Sequence, residues 1–168
     1  MLRRHLTAVL LAAVFLAAGC GGDDKGPQTK EGFISAADGV CEDLFSEFAQ
    51  AKGTEPTTPE EVAEANEQLA DTYEKLGDKL GEVRLPSTGA ARTQAQAFVA
   101  SVRGAKRLLA NLRASSQRFV DAANAADREA LTKAGNDVRG ALDAFRSSRA
   151  DSDRLAIAYG LNFCGNLG

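Results

Sequence analysis

Histidine is nearly absent from this 168-residue chain, and its one occurrence, His5, lies in the first few residues. Beyond that point there is no imidazole. A Ser-His-Asp or Cys-His nucleophile and a histidine-based metal site are therefore both excluded. Tryptophan is missing, the sole methionine is Met1, and only two tyrosines, Tyr73 and Tyr159, offer the flat platforms that a sugar cleft uses. No Gly-rich phosphate loop, GxGxxG or calcium-loop spacing occurs. The longest apolar run, Leu6 to Ala18, is about 13 residues, short of the roughly 20 that cross a bilayer. Positive charge is also in deficit. Lys and Arg total 20 against 23 Asp and Glu, a balance that disfavours nucleic acid as a partner. No cofactor and no metal are expected.

What is present divides into three parts. Residues 1–19 read as an export signal: a basic start (Arg3, Arg4, His5), the apolar run, and Leu16-Ala17-Ala18-Gly19 before Cys20. Residues 20–30 are polar and Gly-bearing, as a flexible tether is. Residues 31–168 carry helical periodicity throughout and no strand pattern. Removing the signal leaves about 149 residues, enough for one core, with 18 bases against 23 acids, a net charge of −5.

Four helices are expected. The first runs from about Glu31 to Lys52, on the stripe Phe33, Ala37, Val40/Cys41, Leu44/Phe45 and Phe48, and Gly53 ends it. The second opens with Thr58 as N-cap, Pro59 in first position and Glu61 completing a capping box; its stripe is Val62, Leu69, Tyr73, Leu76, Leu80 and Val83, and Pro86 stops it. The third is capped by Ser87 or Thr88 and runs through Phe98, Val102, Leu109, Leu112 and Phe119 to Ala123. The fourth follows a turn at 124–127, with Leu131, Val138, Leu142, Phe145, Tyr159 and Phe163 on its stripe. The fold class is thus all-α, an up-down-up-down antiparallel four-helix bundle. The helices are unequal, about 22, 27, 37 and 37 residues, so the last two either protrude or break, with Ser115-Ser116 and Gly135-Asn136 the weakest points.

Once Cys20 is set aside, Cys41 and Cys164 remain, and in an exported protein they are expected to form a disulfide; two buried free thiols are the alternative. Counted along straight helices, Cys164 lies about 20 Å above Cys41. An extended run of residues 53–58 along the bundle would take up that offset.

Charge is sorted. Residues 59–85 are net −5 and residues 87–126 net +5, so neighbouring helices are expected to complement each other along exposed flanks, each pair worth under about 1 kcal/mol. A sharper reading makes the third helix a basic face for anionic headgroups or wall polymers. The carboxylate pairs Glu60/Glu64, Glu67/Asp71 and Glu74/Asp78 read as a solvated acidic face.

The fourth helix has one polar interruption: Ser148, Arg149 and Ser152 stand where its apolar stripe should continue. Ser101, Arg103 and Gly104 of the third helix are expected to face them. This is either a polar notch for a small anion, or a place where Arg149 reaches the surface to pair with an acid of the second helix.

Leu16-Ala17-Ala18-Gly19-Cys20 resembles the lipobox of bacterial lipoproteins. That resemblance implies cleavage before Cys20 and a diacylglycerol thioether on its sulfur. With Ala36-Ala37-Asp38-Gly39-Val40-Cys41, the run Pro56-Thr57-Thr58-Pro59-Glu60-Glu61 and the ending Tyr159-Gly160-Leu161-Asn162-Phe163-Cys164-Gly165, the chain resembles a group of small helical lipoproteins of actinobacteria. The resemblance implies architecture and location and carries over no catalytic residue. The expected function is that of a non-catalytic, membrane-anchored interaction module on the outer face of the cell membrane, with an envelope protein as partner. The alternative is a small-ligand binding protein or sensor using the notch.

Overall fold

The computed structural model describes residues 28–51 and 55–166. The expected signal, Cys20 and the tether as far as Pro27 lie outside the described residues. Five helical segments follow in order: α1 (Lys30–Ala51), α2 (Pro59–Glu82), α3 (Gly89–Gly104), α4 (Lys106–Asn124) and α5 (Arg128–Tyr159). Among the described residues there is no strand.

Local chemistry explains the boundaries. The Gly32 amide donates to Thr29 Oγ1 at 3.0 Å, which caps α1. At α2 the expected capping box forms: the Glu61 amide donates to Thr58 Oγ1 and the Thr58 amide to Glu61 Oε2. Glu61 also accepts from the amide and hydroxyl of Thr57, and these bonds hold its carboxyl below the usual range. The third rod is α3 plus α4, with a tight turn at Ala105 whose amide bonds back three residues to Val102. The weak point is therefore Gly104-Ala105. Ser115-Ser116 and Gly135-Asn136 lie inside unbroken helix, for reasons visible in their contacts. Ser115 Oγ accepts from Arg118, Ser116 Oγ accepts from Asn66, and the Phe119 ring packs on Gly135 where a Cβ would sit 3.4 Å away. The last helix stops at Tyr159, short of the expected Phe163. Gly160 turns left-handed (φ 101°), and the Leu161 and Gly160 amides bond back to Ala156 and Ile157 as a Schellman ending.

The bundle is antiparallel in the expected up-down-up-down order. Glu47 of α1 meets Lys75 of α2, Asn66 of α2 meets Ser116 of α4, and Ser101 of α3 meets Ser152 of α5. The α3–α4 rod is central, with α2 on one flank and α5 on the other, while α1 packs mainly on α2 and closes one half. From the Glu47–Lys75 pair, α2 projects beyond the end of α1 by about 18 Å at 1.5 Å per residue. That is the offset the connection must cover. Its described part, Glu55 to Thr58, is non-helical and Thr58 is extended; positions 53 and 54 lie outside the described residues.

One end of the molecule is consequently a four-helix bundle and the other a three-helix layer. The four-helix end holds the main core, including Phe33, Leu44, Leu76, Leu80, Phe98, Leu109, Phe145 and Tyr159. The three-helix end is thinner and built on Leu112, Val138, Ala122 and Ala134 with a buried Asn66–Ser116 hydrogen bond of 2.9 Å. Phe45, Phe48, Leu69, Phe119 and Leu142, expected in the core, are only half-buried. Leu69 of α2 lies past the level at which α1 ends, and Phe45 and Phe48, on the last turns of α1, face the same gap.

After Gly160 the chain turns back over α1. Cys41 and Cys164 form the expected disulfide, with Cα atoms 5.3 Å apart and both residues buried. Beside it the Asp38 carboxylate accepts from the amides of Asn162 (2.9 Å), Phe163 (3.0 Å) and Cys164 (3.2 Å). Asp38→Ala strands these donors and should cost about 3 kcal/mol in urea unfolding, while Asp38→Asn, keeping one acceptor oxygen, should cost roughly half that.

Candidate functional site

The notch predicted along the last helix does not stay open. Ser101 Oγ and Ser152 Oγ share a hydrogen bond of 2.7 Å that joins α3 to α5, and Ser152 Oγ also donates to the Ser148 carbonyl at 3.3 Å. Arg103 is elsewhere. It lies across Gly77 and Gly81 of α2, where a Cβ on Gly81 would come within 2.9 Å of the guanidinium carbon. There it lines a separate hollow of about 180 Å³ with Glu74, Asp78 and Lys106. Glycines four residues apart on α2 seat this arginine, a signal present in the sequence.

Arg149 also departs from the expected pairing with an acid of the second helix. Its nearest acid is Asp153, one turn on in its own helix, with Nε to Oδ2 at 3.6 Å, an ion pair too long for a hydrogen bond. The acids of α2 are engaged instead by Arg113 of α4, which bonds Glu67 (2.9 Å), Asp71 (2.6 Å) and Glu74 (2.7 Å) and is held more firmly protonated by them. This is the flank complementarity expected from the charge sorting.

The Arg149 side chain is 22% exposed. Its Nε and Nη2 are buried without a hydrogen-bond partner among the described residues, and its Cζ lies 6.0 Å from the centre of the Tyr73 ring. Tyr73 stands edge-on to Phe45 (5.9 Å) and Phe145 (4.7 Å), and its hydroxyl is buried and likewise unpartnered. Burial pushes its phenol well above the ordinary tyrosine range. Burial also raises the Asp153 carboxyl, against the opposing pull of Arg149.

Two spaces meet at this cluster. Inward, Tyr73, Arg149, Ser152 and Asp153 border a void of about 20 Å³ against the disulfide, roughly the room one water needs. Outward, Phe45, Phe48, Leu69, Tyr73, Arg149 and Phe163 line an open groove of about 750 Å³, with Glu42, Asn162 and Asn166 also bordering it. Its volume is in the range of small-molecule sites, roughly 300–1,000 Å³. Phe163, 48% exposed, stands at its edge because the Asp38 clamp holds the backbone there.

The groove escaped sequence reasoning because Phe45, Phe48 and Leu69 lie on apolar stripes and read as core. The missed signal was the short first helix, which the expected lengths already contained. Among the described residues no three His, Cys, Asp or Glu side chains form a metal-holding group, and no helix is long and apolar enough to cross a membrane. The chain matches no known family, no curated protein and no solved structure.

Asp153 generates a pH prediction. Folding raises its carboxyl, so between its ordinary and its raised value the native state holds more protons than the unfolded chain, and stability falls as pH rises through that window. Urea midpoints followed from about pH 4 to about pH 7 should show this decline, and Asp153→Asn should flatten it. Parallel profiles for the two proteins would remove Asp153 as its source.

Proposed function

We propose that this chain is a lipid-anchored protein of the outer face of the cell membrane that works by binding, not by catalysis, with the α1–α2–α5 groove as its binding surface. The observation that carries the reading is the groove itself: an open, largely aromatic surface with a guanidinium at its floor, on a bundle whose first helix is stapled to its C-terminal loop. An open hollow lined by half-buried aromatic side chains, with Phe163 exposed at its edge, is a place where an apolar group of a partner can seat. The disulfide is compatible with an extracytoplasmic location, and the lipobox-like stretch before Cys20 supports the anchor. The absence of imidazole beyond His5 argues for binding over turnover.

An envelope protein docked on the groove is the first form of this reading. The second, a small ligand, is favoured by the volume of the groove and by Arg149 on its lining. The anchor and the groove are tested together. In cells, wild-type protein should fractionate with membranes and label with palmitate, and Cys20→Ser should appear unlabelled in the soluble fraction. Photocrosslinking from position 48 should capture an occupant that Phe163→Asp loses. Membrane retention of Cys20→Ser would reject the anchor, and crosslinks unaffected by Phe163→Asp would reject the groove.

A further inference from the structure

Among the described residues three large apolar side chains are exposed, Leu155, Ile157 and Phe163, and all belong to the last turns of α5 and the loop after it. Leu155 and Ile157 lie about 6 Å and about 3 Å along the axis from Tyr159, on opposite flanks of the helix. At the same end of the bundle Ile34, Val83 and Leu85 are only partly buried. The opposite end is polar: Thr57, Thr58 and Glu60 on one connection and Asn124 and Asp127 on the other are exposed.

The chain toward Cys20 leaves from the apolar end. The Gln28 carbonyl accepts from the Ser87 amide at 3.1 Å beside the α2–α3 turn, and the Lys30 ammonium lies 4.9 Å from the centre of the Tyr159 ring at the close of α5. Eight peptide steps separate Gln28 from Cys20, a reach of at most about 29 Å. Arg128, at the start of α5, is about 46 Å from Tyr159. With a lipid on Cys20 the polar end therefore cannot stand on the membrane, because Gln28 would then be farther from the surface than the connection reaches. Lying on its side, the bundle would set against the lipid helix flanks that expose no large apolar side chain away from this one end.

We infer that the end from which Gln28 leaves is a membrane-contact surface, with Leu155 and Ile157 entering the interfacial layer of the bilayer, Ile34 and Leu85 beside them, and the helices standing away from the membrane. This rests on the lipid anchor at Cys20 and adds which surface meets the lipid. An apolar face seats about 5–10 Å into the boundary between headgroups and acyl chains, which takes in both exposed side chains of α5. The anchor holds this surface near the bilayer at high effective concentration, so a contact too small to bind by itself is populated. Charge at this end is mixed, with Lys30, Arg84 and Arg92 against Glu31 and Glu82, so the contact does not call for anionic lipid. Phe163 is held by Asp38, about 12 Å along α1 from Lys30, and the groove it edges opens to the side, clear of the headgroups.

The test uses the lipidated protein in phosphatidylcholine nanodiscs that carry a gadolinium-chelate lipid, read by methyl resonances. The signals of Leu155 and Ile157 should be lost, those of Ile34 and Leu85 weakened, and those of Val62 and Leu131 at the far end kept, with the same pattern when phosphatidylglycerol replaces part of the lipid. The double variant Leu155→Ser, Ile157→Ser should stay on the discs through Cys20 and recover the signals of Ile34 and Leu85. Loss of Val62 and Leu131 as complete as that of Ile157 would overturn the end-on contact. Unrecovered signals of Ile34 and Leu85 in the double variant would mean that the connection alone brings this end close, and would overturn the apolar contact. Signals of Leu108 on α4 lost only with phosphatidylglycerol would give the membrane surface to the basic helix instead. Failure of the anchor reads differently: a protein that leaves the discs and carries no diacylglyceryl mass on Cys20 overturns the anchor, and this surface with it.

Discussion

The return of the C-terminal loop onto α1 is the contact on which the rest of the arrangement depends. Beyond α2, α1 has little packing of its own on the bundle. Two interactions make up for that: the Cys41–Cys164 bond, closing a separation of 123 residues, and the Asp38 carboxylate, which collects three consecutive amides from a loop with no helical partners for them. In the chain-entropy picture a bond across so long a loop contributes up to about 5 kcal/mol. The carboxylate gives the loop its shape, because a buried acceptor that satisfies three donors fixes their directions together. Phe33 and Tyr159 then meet edge-on at 5.6 Å, with the Lys30 ammonium 4.9 Å above the tyrosine ring.

The groove follows from this closure and from a mismatch of lengths. The disulfide and the Glu47–Lys75 pair set the level of α1, and at that level it ends while α2, α4 and the first half of α5 continue. Three helices without a fourth can bury only a thin core, which is why small residues and an Asn–Ser hydrogen bond occupy the far end. Where the fourth helix stops, aromatic side chains on α1 have no neighbour on one side. Tyr73 marks the border, with Phe145 packed against one edge and the void, the groove and the Arg103 hollow around it.

Much of the fold was legible in the sequence, because the signals were local or obligatory. Thr58, Pro59 and Glu61 announced the start of α2, and the two cysteines left once Cys20 is set aside had one partner each. The four stripes gave the class and order of the bundle. What was not legible depended on which residue pairs met across helices. Ser101 and Ser152 read as a notch and instead satisfy each other. Arg103 read as their neighbour and instead lies on Gly77 and Gly81, because its position on the helix turns it to α2. The break at Gly104-Ala105 was misplaced because Ser115 and Ser116, weak by propensity, are held by Arg118 one turn on and by Asn66 from across the bundle. Asp38, an acid beside an otherwise apolar stripe, was the visible sign of the clamp.

The disulfide and the Asp38 clamp hold the C-terminal loop and α1 together, and amide hydrogen exchange with and without reductant tests this most directly. In the oxidised protein the amides of Asn162, Phe163 and Cys164 should exchange slowly. On reduction under native conditions, exchange should accelerate together in that loop and in Phe33 to Leu44 of α1, and by more than in Leu109 to Ser116 of α4. Unchanged protection of the loop after reduction, or equal acceleration in α4, would contradict the account.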